Sequence, residues 1–240
     1  MAIIAMSQTG ALVESKSERS FMHDRTIPAV AIGLVALATV FGYTAAVVVS
    51  TLVLLPLMFE WSCLAISPLV KKSWTWAWKI PRAVDLVLIA VWVPAFIYVA
   101  RHGGPKIMVL VFGCSFVADI GGLAIGKGMK GRLFGDRRLS RFSPNKTWEG
   151  VLGGLIVALL ITVGDKVFRM DIPWWMLLVT TVAVTAIGVI SDVTESIFKR
   201  SVGADDSGTF LRDHGGFLDR CDALMAVTLC YALLLHQSWF

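Results

Sequence analysis

Seven of the seventeen Asp and Glu residues fall within residues 191–222, in a chain that is 56% apolar. That window, SDVTESIFKRSVGADDSGTFLRDHGGFLDRCD, is where the residue types for chemistry are concentrated. If its start is helical, Asp192, Glu195, Ser196 and Lys199 stand at i, i+3, i+4 and i+7, and two acids, a hydroxyl and a cation share one face. The helical pattern breaks at Gly203 and passes through an acidic Gly/Ser turn over 204–208. It then reaches His214-Gly215-Gly216, where adjacent glycines let backbone amides approach a ligand. Helix resumes near Asp219. Asp219 and Asp222 lie one turn apart at its start, an arrangement of carboxylates that a divalent cation commonly holds together. The plainer reading is a solvated charged loop between helices. Against it stand the apolar runs on both sides, which place Asp192 at or inside a membrane boundary, where an unpaired carboxylate costs about 2.5 kcal/mol or more.

The elements that must position these groups are membrane helices. With 240 residues, 16% charged residues and a mean hydropathy of +0.73, the composition is that of an all-α, polytopic integral membrane helical bundle. Hydropathy gives about seven transmembrane helices, within a range of six to nine. Residues 1–26 read as a cytoplasmic lead-in, 27–100 as N-terminal transmembrane helices, and 101–240 as a C-terminal catalytic transmembrane region with cytoplasmic loops 127–149 and 199–220. The run 27–70 is too long for one span, and Gly42 is the expected turn. Glu60 is the single charge in that run. It meets either a bundle-facing partner or water pocket, or the interface from near a helix end.

KKSWTWAWKIPR (71–82) reads as an interfacial loop, 83–100 as the third span with Asp85 at its start, and RHGGPK (101–106) as a tight connection. The fourth span, 106–126, carries Asp119 beside Gly121, Gly122 and Gly126, a pattern for close helix packing around a polar group. Residues 150–164, 174–190 and 219–235 supply the remaining spans, the sixth running on to a site helix that ends near Arg200. With the N-terminus cytoplasmic, the inside segments hold eighteen Lys and Arg against four outside, which puts the polar window on the cytoplasmic side. The net charge of +5 is spread over short loops, which suits an anionic lipid surface or substrate and speaks against nucleic acid. Cys63, Cys114, Cys221 and Cys230 have no CxxC spacing and read as packing residues.

The window closely resembles the signature of the phosphatidate cytidylyltransferase (CDP-diacylglycerol synthase) family, which runs Asp-x-x-Glu-Ser-x-Leu-Lys-Arg, Lys-Asp, Pro-Gly-His-Gly-Gly and Asp-Arg-x-Asp. The matching residues are Asp192, Glu195, Ser196, Lys199, Arg200, Asp206, Ser207, Gly208, His214, Gly215, Gly216, Asp219, Arg220 and Asp222. Phe198 replaces a leucine, Asp205 a lysine, and Arg212-Asp213 a Pro-Gly pair. FSPNKTWEGVLGG is similar to a second family landmark, Ser-Pro-x-Lys-Thr-Trp-Glu-Gly, and Asp119-Ile-Gly resembles an upstream Asp-Thr-Gly. The resemblance spans about residues 118–222.

It implies a membrane-embedded transferase that forms CDP-diacylglycerol and pyrophosphate from CTP and phosphatidate, by magnesium-assisted attack of the lipid phosphate on the CTP α-phosphorus. Asp192, Asp219 and Asp222 are then the expected metal ligands, because hard oxygen donors suit magnesium, with a second cation left open. Lys199, Arg200 and Arg220 are the expected phosphate holders, and Asp206 and His214 complete the catalytic set, His214 as a positioning group. Asp119, Ser143, Lys146, Thr147, Glu149, Ser196, Gly215 and Gly216 are assigned to substrate binding, with Glu149 orienting Lys146 or a metal-bound water. No GxxxxGK[ST] stretch is present, so the nucleotide is not held by a P-loop. The implied setting is the cytoplasmic (inner) membrane, crossed many times, with the active site facing the cytoplasm; a homodimer stays open. Two alternatives remain: a CTP-dependent transferase for a different lipid phosphate, or a transporter using Glu60, Asp119 and Asp192 as intramembrane relay groups.

Overall fold

The computed structural model describes residues 42–66, 75–129, 132–135, 139–140, 143, 146–169, 173–204, 206–208 and 216–237. The expected lead-in and first span lie outside the described residues, as do His214, Gly215 and the three departures Asp205, Arg212 and Asp213. Within the described residues the architecture is all-helical: α1 (Tyr43–Ile66), α2 (Thr75–His102), α3 (Gly104–Phe112), a π-helical segment (Gly113–Val117), α4 (Ala118–Met129), α5 (Trp148–Arg169), α6 (Trp174–Ser201) and α7 (Leu218–His236). Four stretches are long and apolar enough to cross a membrane: Tyr43–Ile66, Lys79–His102, Gly104–Met129 and Trp174–Ser201, with Trp148–Gly164 a shorter apolar helix.

The helix boundaries follow from local chemistry. α1 starts directly after Gly42, the expected turn. α2 starts at Thr75, so the stretch 75–82, expected as loop, is helical and takes in Pro81. Proline there frees a carbonyl four residues earlier, which at a membrane boundary water can satisfy. The α2–α3 turn needs Gly103 and Gly104: Gly104 has φ +61°, and a Cβ on Gly103 would lie 2.7 Å from Ile107 Cβ. In the π segment the Ala118 N–H reaches back five residues to Gly113 O, and Ser115 Oγ donates to Val111 O at 2.8 Å within it. The inserted residue turns everything after it by about 100°, which resets the direction of Asp119.

α4 and α5 pack backbone to backbone, as the glycines beside Asp119 led us to expect. A Cβ on Gly122 would meet Gly150 O at 2.7 Å, and one on Gly154 would meet Ala118 O at 2.9 Å. α2 packs against α1, α6 and α7, and Trp92, Phe96, Met108, Leu110 and Tyr231 fill the core among these helices. α6 extends as one helix through the expected sixth span to Ser201, where Gly203 at φ +75° turns the chain and Ala204 N–H bonds to Lys199 O. Its final turns therefore carry the polar face of the signature, held against the start of α7.

Candidate active site

Three elements meet at the ends of α6 and α7. On α6, Glu195 and Lys199 form the expected i, i+4 pair, with Lys199 Nζ 3.0 Å from Glu195 Oε2. The same ammonium reaches Asp219 Oδ1 of α7 at 2.5 Å, so Lys199 ties the two helices together. The other Asp219 oxygen, Oδ2, accepts from Ser207 N (2.9 Å), Ser207 Oγ (2.9 Å) and Gly216 N (2.7 Å). Asp219 thus organises the signature loop as well as the lysine.

A second lysine joins the other side. Lys146, just before α5, lies 3.9 Å from Asp119 Oδ1 of α4 and directly contacts Asp192 Oδ2 of α6. The turn after the π segment and the tight α4–α5 packing bring Asp119 there. Lys146 and Lys199 each bridge carboxylates from two helices, but Lys146 is the more open, its side chain 26% exposed against 12%.

Asp192, Glu195 and Asp222 each offer a carboxylate oxygen, all within 4.8 Å of one another. Asp222 is fixed to α6 through its carbonyl, which accepts from Ser191 Oγ at 2.9 Å. Glu195 Oε1, Asp222 Oδ2 and Asp85 Oδ2 are buried without a hydrogen-bond partner among the described residues. Asp85 of α2 also interacts electrostatically with Asp222 and Lys199. Unpartnered buried carboxylate oxygens are costly in a low-dielectric setting, and a hard divalent cation is the partner that suits a cluster of them. The donor set fits magnesium on that ground.

The remaining expected site residues are spread more widely. Ser196 is buried on α6 and Asp206 is exposed in the loop. Arg200 Nη1 donates to Ala204 O at 3.5 Å, at the C-terminal turn of α6, and Arg220 is exposed on the first turn of α7. Thr147 Oγ1 accepts from Gly150 N at 3.1 Å, which makes it the cap of α5. Glu149, 1% exposed, accepts from Leu133 N at 2.7 Å and Phe134 N at 3.4 Å, pinning the basic loop to α5. Ser143 is half-buried and its carbonyl accepts from Lys146 N at 3.2 Å, which helps set the lysine. Gly216 is buried where its amide meets Asp219.

Three acids stand closer to this centre than the sequence reading placed them. Glu195 was visible as the i+3 partner of Asp192, but its grouping with Asp222 depends on how α6 and α7 cross. Glu60 and Asp85 are 3% and 2% exposed, and their signal was a lone charge in an apolar run and an acid at the start of a span. Only the packing of α1 and α2 against α6 and α7 shows where they point.

Residues 1–238 match the family described as Cytidylyltransferase family. Among curated relatives, the phosphatidate cytidylyltransferase of Staphylococcus saprophyticus is 37% identical over 144 residues, covering 59% of this chain and 54% of the relative. The protein of the same name from Haemophilus influenzae is 40% identical over 137 residues, covering 52% of this chain and 44% of the relative. That from Staphylococcus aureus strain COL is 37% identical over 145 residues, covering 60% and 54%. The aligned stretch spans about half the length of the curated relatives it matches.

Proposed function

The chain belongs to the cytidylyltransferase family, and from that premise we propose that it is a membrane-embedded phosphatidate cytidylyltransferase. It takes CTP and phosphatidate to CDP-diacylglycerol and pyrophosphate. A phosphate oxygen of the lipid attacks the CTP α-phosphorus, a new P–O bond forms, and the bond from the α-phosphorus to the bridging oxygen breaks as pyrophosphate leaves. The observation that carries this reading is the convergence of two lysines with the Asp192, Glu195 and Asp222 carboxylates at the meeting of α4, α6 and α7.

The chemical difficulty is the repulsion between two polyanions, and such transfers are catalysed mainly by positioning and charge stabilisation. Asp192, Glu195 and Asp222 would hold a magnesium ion, which when bound supplies charge neutralisation and polarisation at the phosphoryl group. Lys146 is the more open of the two lysines and is assigned to a CTP phosphate, exchanging its carboxylate contacts for phosphate oxygens. Lys199 is held by Glu195 and Asp219 and keeps α6 and α7 in register. Arg200, Arg220 and Asp206 are assigned to the departing pyrophosphate, with His214 assigned alongside them from the signature alone, and the lipid phosphate enters beside the outward apolar faces of the helices.

The membrane setting agrees with this division of labour. α6 has 28 residues, about 42 Å at 1.5 Å per residue, against a hydrocarbon core of about 30 Å. If Trp174 and Trp175 mark one interface, Asp192 reaches the other, and Glu195 and Lys199 lie just beyond it. We assign seven spans, a cytoplasmic N-terminus and a site facing the cytoplasm of the inner membrane, in line with the cation asymmetry.

The test is a radiolabelled CTP incorporation assay on purified protein in detergent, with phosphatidate or an isoprenoid-ether phosphate as acceptor, with and without magnesium. Magnesium-dependent transfer of label to phosphatidate, with release of pyrophosphate, is expected. Transfer only to the other lipid would redirect the substrate assignment, and transfer to neither would overturn the reading.

A further inference from the structure

We infer that Glu60 of α1 is a positioning residue that fixes the start of α7, and with it Asp219, for the reaction proposed above, on which this inference rests. Glu60 is the one charged residue of α1 and is 3% exposed. Its Oε2 accepts from Leu218 N at 2.9 Å and lies 3.2 Å from Ser207 Oγ. α7 has no capping side chain of its own at Phe217, and the first turn of a helix always leaves amide donors without intrahelical partners. A carboxylate 158 positions earlier in the chain supplies that cap, with the sign that the helix dipole favours.

The cap extends into the site through one hydroxyl. Ser207 Oγ accepts from Asp219 N at 3.3 Å and lies 2.9 Å from Asp219 Oδ2, so its single proton is shared between Glu60 and Asp219. Asp219 in turn holds Lys199. A continuous path of hydrogen bonds and one ion pair thus runs from α1 through the loop and α7 to α6. The loop is shaped around this carboxylate and its serine partner: a Cβ on Gly216 would come 2.1 Å from Ser207 Oγ and 2.4 Å from Glu60 Oε2, and one on Gly208 2.8 Å from Oε1. These are two glycines of the signature, and steric room for Glu60 is a reason for glycine at both.

The groups that Oε2 meets are an N–H and an O–H, while Oε1 is buried without a hydrogen-bond partner among the described residues, so the geometry calls for an acceptor oxygen at Oε2, and a neutral amide provides one. Aspartate keeps the charge but is shorter by one methylene. This separates a strut from a charge-bearing ligand, because the two roles rank the variants in opposite orders. Glu60→Gln should retain at least a third of wild-type kcat. Glu60→Asp should lose tenfold to a hundredfold in kcat. Amide hydrogen exchange in detergent, measured without substrates, gives an independent readout. In Glu60→Asp the peptide covering 216–222 should exchange at least tenfold faster, with α4 and α5 unchanged, and in Glu60→Gln it should match wild type.

An active wild type whose Gln variant loses more than tenfold, or whose Asp variant keeps both activity and protection, overturns the positioning role. If Glu60→Asp does not fold, Glu60→Ala, which removes the acceptor altogether, takes its place in both measurements with the same expected losses. A wild-type protein that makes no CDP-lipid indicts the proposed reaction instead, while the exchange comparison still judges the cap.

Discussion

Lys146 and Lys199 look alike in the sequence, each a lysine within a motif, but their surroundings give them different tasks. Lys199 sits between buried Glu195 and partly buried Asp219 on separate helices. Its replacement by methionine leaves both acids uncompensated, at a cost of about 3–5 kcal/mol, read as a lower melting temperature in detergent along with lost turnover. Lys146 is more open, and Lys146→Ala should raise the CTP concentration for half-maximal rate more than that of the lipid, with little change in melting temperature. Equal effects on both substrates would return Lys146 to a purely structural ion pair. The acids divide in a similar way. Glu195→Gln and Asp222→Asn should each cut kcat by about 10²–10³ and raise the magnesium requirement, whereas Asp219→Asn should act by loosening Lys199 and the loop. A magnesium titration of the three variants distinguishes them. The sequence made Asp192, Glu195 and Lys199 legible as one stripe because helical phase is local. It could not show that Asp222 joins Glu195 while Asp219 faces Lys199, because that choice depends on the rotation of α7 against α6, to which residues as distant as Glu60 contribute.

At the scale of elements, the glycines of α4 and α5 are legible from composition, whereas the π segment between α3 and α4 is not. Gly121, Gly122 and Gly126 announce close packing by their spacing, but the residues of 113–117 carry no comparable local signal for an inserted residue. The extension of α2 back to Thr75 was hidden for a related reason, since Lys79 and Pro81 read as loop until an interface tolerates them in a helix. The packing argument yields a paired prediction. Gly122→Ala places a Cβ 2.7 Å from Gly150 O, a backbone atom that cannot step aside, and should destabilise by about 1–3 kcal/mol. Gly128→Ala, on the same helix with nothing within 4 Å of its Cβ, should be neutral or stabilising by up to about 1 kcal/mol. Thermal unfolding of the two variants in one detergent decides it, and equal effects would mean that α4 and α5 are not held at backbone contact. Because Asp119 and Lys146 sit on these two elements, Gly122→Ala should also lower turnover, and Gly128→Ala should not.

For the whole molecule, the arrangement of the site depends on which face of the membrane receives the ends of α4, α6 and α7. CTP is a soluble, multiply charged nucleotide and phosphatidate is anchored in the bilayer, so the proposed reaction belongs at the boundary between them. The length of α6 would put the carboxylates there, and in the proposed topology the distribution of Lys and Arg assigns them to the cytoplasmic side. Those signals come from opposite sources, one from packing and one from composition, so their agreement is open to a direct check. Leu133 is 60% exposed in the basic loop that Glu149 pins to α5, while Arg101 is exposed at the far end of α2. In a Cys63→Ala background, which removes the exposed native thiol, Leu133→Cys and Arg101→Cys report the two faces separately. A membrane-impermeant maleimide applied to intact cells should label Arg101→Cys at once and Leu133→Cys only after permeabilisation. The reverse pattern would put Lys146 and the carboxylates on the outer face, away from CTP, and would remove the basis for a nucleotide-dependent reaction at this site. Labelling of both without permeabilisation would show that α3 and α4 do not cross the bilayer as one continuous span.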